Sequence, residues 1–288
     1  FNSRNFFINT IYDINDLSRL SLEITYFTYL AQQAGGLNDQ MFFSDPLQSN
    51  RARNWFGVDW LLYNLKYEYD FSSKKSFSLS LFGLNATRNA LGFRVNRVDQ
   101  LDSNGPRDLI QGDFNNFGFE AKYLNNYKLF KKESIFVIGS KLYFSKNKSR
   151  QGPGSESSDS DFTFYDNEYP LYNNQSEYKY PNQNISFFGE NIIRINDKFS
   201  ITPGFRLEYI NTKADGQFER IVQDAAQNVI QHDTIFENRT NKRFFLLSGI
   251  GLTYDISEQI EVYSNLSQNY LSLIHISEPT RLPGRSYA

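Results

Sequence analysis

The sequence has no cysteine, one methionine, two tryptophans and two histidines among 288 residues. Without cysteine there are no disulfides and no thiolate metal sites. A formal net charge of −2, spread along the chain, supplies neither a basic stripe for nucleic acid nor an acidic tail. No run of about 18 apolar residues occurs, which excludes a membrane-crossing helix but leaves open a β-barrel, whose strands need only alternate. The opening segment, FNSRNFFINTIYDIN, lacks the basic start and apolar stretch of a signal peptide, as expected of a chain missing its front end.

Aromatic residues are what the sequence has in quantity: 27 Phe and 19 Tyr in a chain whose mean hydropathy is only −0.55. That combination suits strands with one aromatic face and one polar face. In LLYNLKYEYDF, residues 61–71, the odd positions Leu61, Tyr63, Leu65, Tyr67, Tyr69 and Phe71 are apolar, and Asn64, Lys66, Glu68 and Asp70 alternate with them. Successive strand side chains point to opposite faces, whereas helical spacing would mix the two sets. The pattern recurs at residues 20–26, 117–123 and 201–209. It predicts roughly ten strands between Asn5 and Tyr270, several long enough for the 9 to 11 residues that cross a membrane at a tilt.

The connections alternate too. Short polar turns are expected near residues 15–18, 72–76, 131–133, 196–198 and 257–259, and long loops near 32–53, 93–116, 148–183 and 215–241. A soluble antiparallel sandwich accounts for the alternation but not for the strand lengths or the asymmetry of the connections. Short turns on one side and long loops on the other describe an outer-membrane barrel. The expectation is an all-β, incomplete transmembrane antiparallel barrel of roughly ten strands, belonging to the 22-stranded plugged type.

Several segments carry a family resemblance: QQAGGLND from Gln32, QSNRARNWF at 48–56, ATRNALGFR at 86–94, GPRDLIQGDF at 105–114, SITPGFRLEYI at 200–210 and VYSNLSQNY at 262–270. Over residues 1–270 the chain resembles the TonB-dependent outer-membrane receptors, in particular the branch containing the ferric dicitrate receptor. The resemblance implies a bacterial outer-membrane protein that binds and imports a ferric chelate, is embedded in outer-membrane lipid and is energised by TonB. The plug domain and the TonB box of that family have no counterpart here. Residues 271–288, beginning LSLIHISEPTR, resemble a translated sequencing adapter and are read as a non-native tail; the chain ends Arg-Ser-Tyr-Ala where the adapter reads Ile-Ser-Tyr-Ala. His275 goes with that tail.

The remaining histidine, His232, stands in a polar segment with no partner for a zinc site, and no nucleophile motif or phosphate loop appears. No enzymatic activity and no cofactor are expected. The acidic segment RQGPGSESSDSDF, residues 150–162, has no calcium-loop spacing and reads as a solvated flexible loop. The resemblance assigns ligand binding to Arg88 and to Arg107 in GPRD, since a planar guanidinium holds a carboxylate through two parallel hydrogen bonds. The bland alternative pairs these arginines with Asp102, Asp108 or Glu120. A third arginine of the family has no equivalent in EYPLYNNQSEYKYPNQN, residues 168–184, and nothing aligns Arg150 as its substitute. Other cargoes remain open: another metal complex, or a glycan stacked on Tyr165, Tyr169, Tyr172, Tyr178 and Tyr180. A passive porin or adhesin is the further alternative.

Overall fold

The computed structural model describes residues 1–269, apart from 96 and 227; the proposed tail, with His275, lies outside the described residues. Ten strands follow one another: β1 (Asn2–Asn15), β2 (Ser18–Gln32), β3 (Trp55–Ser72), β4 (Lys75–Gly92), β5 (Asp108–Leu129), β6 (Lys132–Pro153), β7 (Ser176–Arg194), β8 (Phe199–Gln223), β9 (Val229–Ser257) and β10 (Ile260–Ser267). They form one antiparallel sheet in sequence order. β1 and β10 each pair with a single neighbour, so the sheet is open. One short helix, α1 (Asp39–Ser44), stands in the β2–β3 connection, its first turn capped by Asn38 Oδ1 accepting from the Met41 N–H at 2.9 Å.

The register turns the sequence alternation into two faces. Tyr26, Leu61, Asn85 and Asn115 stand in one cross-strand row, and Leu22, Leu65, Leu81, Phe119, Leu142, Ile185, Tyr209 and Phe244 in another. That face carries the apolar band, with Phe187, Phe205, Leu246 and Ile250 exposed on it. The opposite face carries Glu120 paired with Lys122 and Lys141, and Arg206 paired with Glu208. Lys141 Nζ lies 5.0 Å over the Phe82 ring and the Arg206 guanidinium 5.7 Å over Phe188. An apolar face without a covering layer beside a charged face with internal partners is the arrangement of a membrane barrel wall, lipid outside and lumen inside.

The short turns fall where the sequence places them. Between β5 and β6, Phe130 and Lys131 have φ of 52° and 65°, the left-handed pair of a two-residue hairpin turn, achieved here without glycine or asparagine. At the other rim the sequence overestimates the loops. The acidic segment is strand up to Pro153, and the expected loop at 215–241 is mostly a ladder in which Glu219 pairs with Thr234 and Val222 with Gln231. There apolar residues such as Phe218, Val222, Ile230 and Phe236 are scattered among polar ones, so no sustained alternation marks the strands although ladder hydrogen bonding continues. Large buried side chains, among them Leu91 and Leu109, lie at this rim beneath the loops.

Candidate functional site

The long-loop rim is assembled around three buried arginines. Arg51, from the segment before β3, donates from Nη1 to the carbonyls of Asn50 and Gln100 and from Nη2 to those of Arg97 and Val98, with its guanidinium 5.3 Å over Phe93. Two residues on, Arg53 holds the Asp102 carboxylate through Nε at 2.9 Å and Nη2 at 2.5 Å, and reaches the Glu156 and Gly105 carbonyls. This forked pair holds the Asp102 carboxyl below the usual range.

Arg107 is fully buried, at 0 % exposure. Its Nε donates to the Ser155 carbonyl, Nη1 to the carbonyls of Arg53 and Asp159, and Nη2 to the hydroxyls of Ser155 and Ser157. A guanidinium has five N–H donors, and all five are engaged. In this structure burial and engagement by the β6–β7 loop occupy every donor of Arg107. The acidic segment, expected as a flexible loop, is strand to Pro153 and is then held by Arg107 at Ser155, Ser157 and Asp159. Gly154 makes the close approach possible: its N–H bonds the Arg107 carbonyl at 2.6 Å, and a Cβ there would come within 2.5 Å of Leu91.

Arg88 stands elsewhere. On β4 it shares the lumenal face with Ser78 and Ser80, with Val58 and Gly112 as cross-strand neighbours, and its guanidinium lies 5.9 Å from the Phe114 ring centroid. Arg107 is one residue before the partner of Gly92, so the fold does not bring Arg88 and Arg107 to one point. It brings Arg88 and Arg94 together instead: both line a cavity of about 380 Å³ with Gln33, Asn54, Phe56 and Ile110. Asn54 shapes its edge by accepting the Phe93 N–H at 2.8 Å, and it lies so close to Gly92 that any Cβ there would collide at 2.3 Å. Two cations, two amides and an apolar floor suit a small anionic ligand with an apolar surface. Arg94 lies within the ATRNALGFR segment, but one strand's alternation cannot aim a residue beyond its end.

The alternative partners of the two arginines are occupied. Asp102 belongs to Arg53, Glu120 to Lys122 and Lys141, and Asp108 accepts from Gln151 Nε2 and the Tyr172 hydroxyl. Burial pushes the Asp108 carboxyl up to about 6, against the pull of Arg94. The tyrosines that favour a glycan are engaged by acidic side chains of the same rim. Tyr165 donates to Asp161, Tyr169 bonds Glu156, and Tyr178 donates to Glu237 while stacking on Tyr180 at 5.8 Å. Arg150 is held by Asp166 and lies 4.0 Å over Phe164. His232 Nε2 stands 3.0 Å from Glu219, and no group of three metal-ligating side chains occurs among the described residues.

Residues 5–273 match the family model described as TonB dependent receptor-like, beta-barrel. No curated protein matches the sequence. Among solved structures the chain is similar to the ferric citrate transporter FecA in the unliganded form, with a TM-score of 0.65 and 16% identity, over 91% of this chain and 35% of that one. The ferric yersiniabactin uptake receptor FyuA from Yersinia pestis gives a TM-score of 0.66 and 9% identity, over 91% and 37%. BauA, the ferric preacinetobactin receptor from Acinetobacter baumannii, gives 0.60 and 11%, over 91% and 39%. At these identities the likeness is one of fold, and the chain spans between a third and two fifths of those proteins.

Proposed function

The chain belongs to the TonB-dependent receptor β-barrel family, and from that premise we propose that it is part of the wall of an outer-membrane receptor that captures a ferric chelate, ferric citrate or a similar carboxylate siderophore, at its long-loop rim. Cargo uptake in such a receptor draws energy through TonB, by way of a plug that the matched segment does not include. The observation that carries the reading is the cavity lined by Arg88 and Arg94 on the lumenal face. Charge-assisted, forked hydrogen bonds from guanidinium suit the carboxylates of an anionic chelate. A glycan is disfavoured because Tyr165, Tyr169, Tyr172 and Tyr178 bond internal acidic partners.

The test is ferric citrate binding to the complete receptor carrying this segment, with Arg88→Ala, Arg94→Ala and Arg88→Lys as variants and heat-modifiable gel mobility as the check of folding. Each Ala variant is expected to lose roughly 1.5 to 3 kcal/mol, a ten- to hundredfold weakening. Lysine at 88 restores charge without the fork, so its binding falls between wild type and alanine. Unchanged binding in both alanine variants would overturn the assignment of the cavity to the chelate.

A further inference from the structure

The outward face of the wall does not become neutral where its apolar band ends. On β6, the exposed Phe144 is followed on the same face by Lys146 and Lys148, both exposed; Lys179 on β7, Lys213 on β8 and Lys242 on β9 stand on that face, also exposed. The register sets them in three adjacent rows. Lys242 is level with Asn211, Gln183 and Phe144; Lys146 and Lys213 flank Pro181; and Lys148 is directly opposite Lys179. Rows two residues apart are roughly 6.6 Å apart and adjacent strands about 4.8 Å, so the five ammonium groups share a patch the size of one or two lipid headgroups.

The carboxylates on the same face lie only in the upper rows. Asp113 neighbours Lys148, Asp215 neighbours Lys179, and Glu177 neighbours Arg150. The two rows nearest the apolar band, with Lys146, Lys213 and Lys242, contain none. Among the described residues none of the five lysines forms an ion pair. Like charges directly opposed across strands, as Lys148 and Lys179 are, destabilise a sheet, which makes an external anion the natural partner. The corresponding belt on β1–β5 differs: it carries Thr28, Asn85, Thr87, Asn89 and Gln111, with Arg4, Asp59 and Asp113. In a chain of net charge −2 this local excess of cations has a direction, outward and just beyond the lipid-facing residues.

We propose that the patch formed by Lys146, Lys148, Lys179, Lys213 and Lys242 docks the phosphorylated headgroup of an outer-leaflet lipid, its acyl chains lying against the apolar face below. Continuity fixes the occupant's chemistry. An apolar band at Phe144, Ile185, Phe187, Leu207 and Phe244 leads directly into cations, matching a molecule that joins hydrocarbon to phosphate. Long lysine stems reach the headgroup layer while their methylenes stay on apolar surface.

The experiment uses the complete receptor in detergent, titrated with bisphosphorylated lipid A and, separately, with the same lipid dephosphorylated, and read by native mass spectrometry. The triple variant Lys146→Gln, Lys213→Gln, Lys242→Gln removes the lysines of the carboxylate-free rows while keeping exposed polar side chains, and Lys66→Gln, on the lumenal face, controls for loss of a lysine away from the patch. Each lysine beside an anionic surface contributes about fivefold, so the triple variant is expected to bind the phosphorylated lipid roughly a hundredfold more weakly, with Lys66→Gln binding as wild type and the dephosphorylated lipid weak throughout. Equal binding of the two lipids, retention of binding by the triple variant, or the same loss in Lys66→Gln would overturn the proposal. These outcomes are independent of ferric citrate binding, so they do not depend on the cargo.

Discussion

Removing the Arg107 side chain would leave three carbonyl oxygens and two serine hydroxyls without their common donor. Buried groups left unsatisfied cost about 1–3 kcal/mol each, so Arg107→Ala is expected to destabilise the rim locally by roughly 3 to 5 kcal/mol, the range for losing one partner of a buried charged contact. Amide exchange across residues 154–162 should accelerate accordingly, while Arg88→Ala leaves that segment unchanged. Arg107→Lys should restore little, since an ammonium has three donors and no planar fork. Asp108 adds a pH signature at the same rim. Its carboxyl rises from 3.8 to about 6 on burial, so the folded state holds the proton more tightly than the unfolded chain. The stabilisation is complete below about pH 4, falls as pH rises through 6 and is then level, an upper bound of about 3 kcal/mol. The opening free energy read by exchange at Asp108 and Gln151 should fall between pH 4 and 6, and Asp108→Asn should remove the slope. A strand's alternation puts Arg88 on the lumenal face with Ser78 and Ser80. No local pattern reveals the surroundings of Arg107, set by a loop nearly fifty residues away, or singles out Arg51, Arg53 and Arg94.

At the scale of the strand, the alternation was legible because one face meets hydrocarbon and the other meets a charged lumen. Leu79 and Leu81 share the outward face, and Ser78 and Ser80 the lumenal one. A charge placed on the lipid face near the midplane costs about 2–4 kcal/mol, against little in the lumen. Leu81→Arg is therefore expected to lower unfolding stability in lipid vesicles by that amount, whereas Ser80→Arg, one residue away, should stay within about 1 kcal/mol of wild type. Equal losses would contradict the facing read from the register. The two-residue turns were legible from polar residues between alternating runs. The strand extensions were not, because β8 and β9, 25 and 29 residues long, far exceed the roughly 9 to 11 needed to cross the membrane. Their upper parts mix scattered apolar residues with polar ones and keep no sustained alternation, and hydrogen bonding to a neighbour leaves no trace in a single sequence.

For the molecule as a whole, the open sheet sets the last expectation. β1 is exposed along its whole length, and β10 contributes eight exposed residues against a 29-residue partner; each presents a row of backbone donors and acceptors that pairs with other chains unless covered. In a barrel wall the cover is the next strand, and the solved receptors of this fold are more than twice as long as this chain. If residues 271–288 are adapter-derived, as their resemblance implies, the native gene should depart from LSLIHISEPTR after Tyr270 and continue the outward-apolar alternation of Ile260, Val262 and Leu266. Amplification across this junction from unfragmented source DNA checks it, and recovery of the LSLIHISEPTR coding sequence would refute the adapter reading. The physical counterpart is an association measurement: the 288-residue chain in detergent should form higher-order assemblies through its two edges. An isolated chain that stays monomeric would show that these edges are protected by some other means.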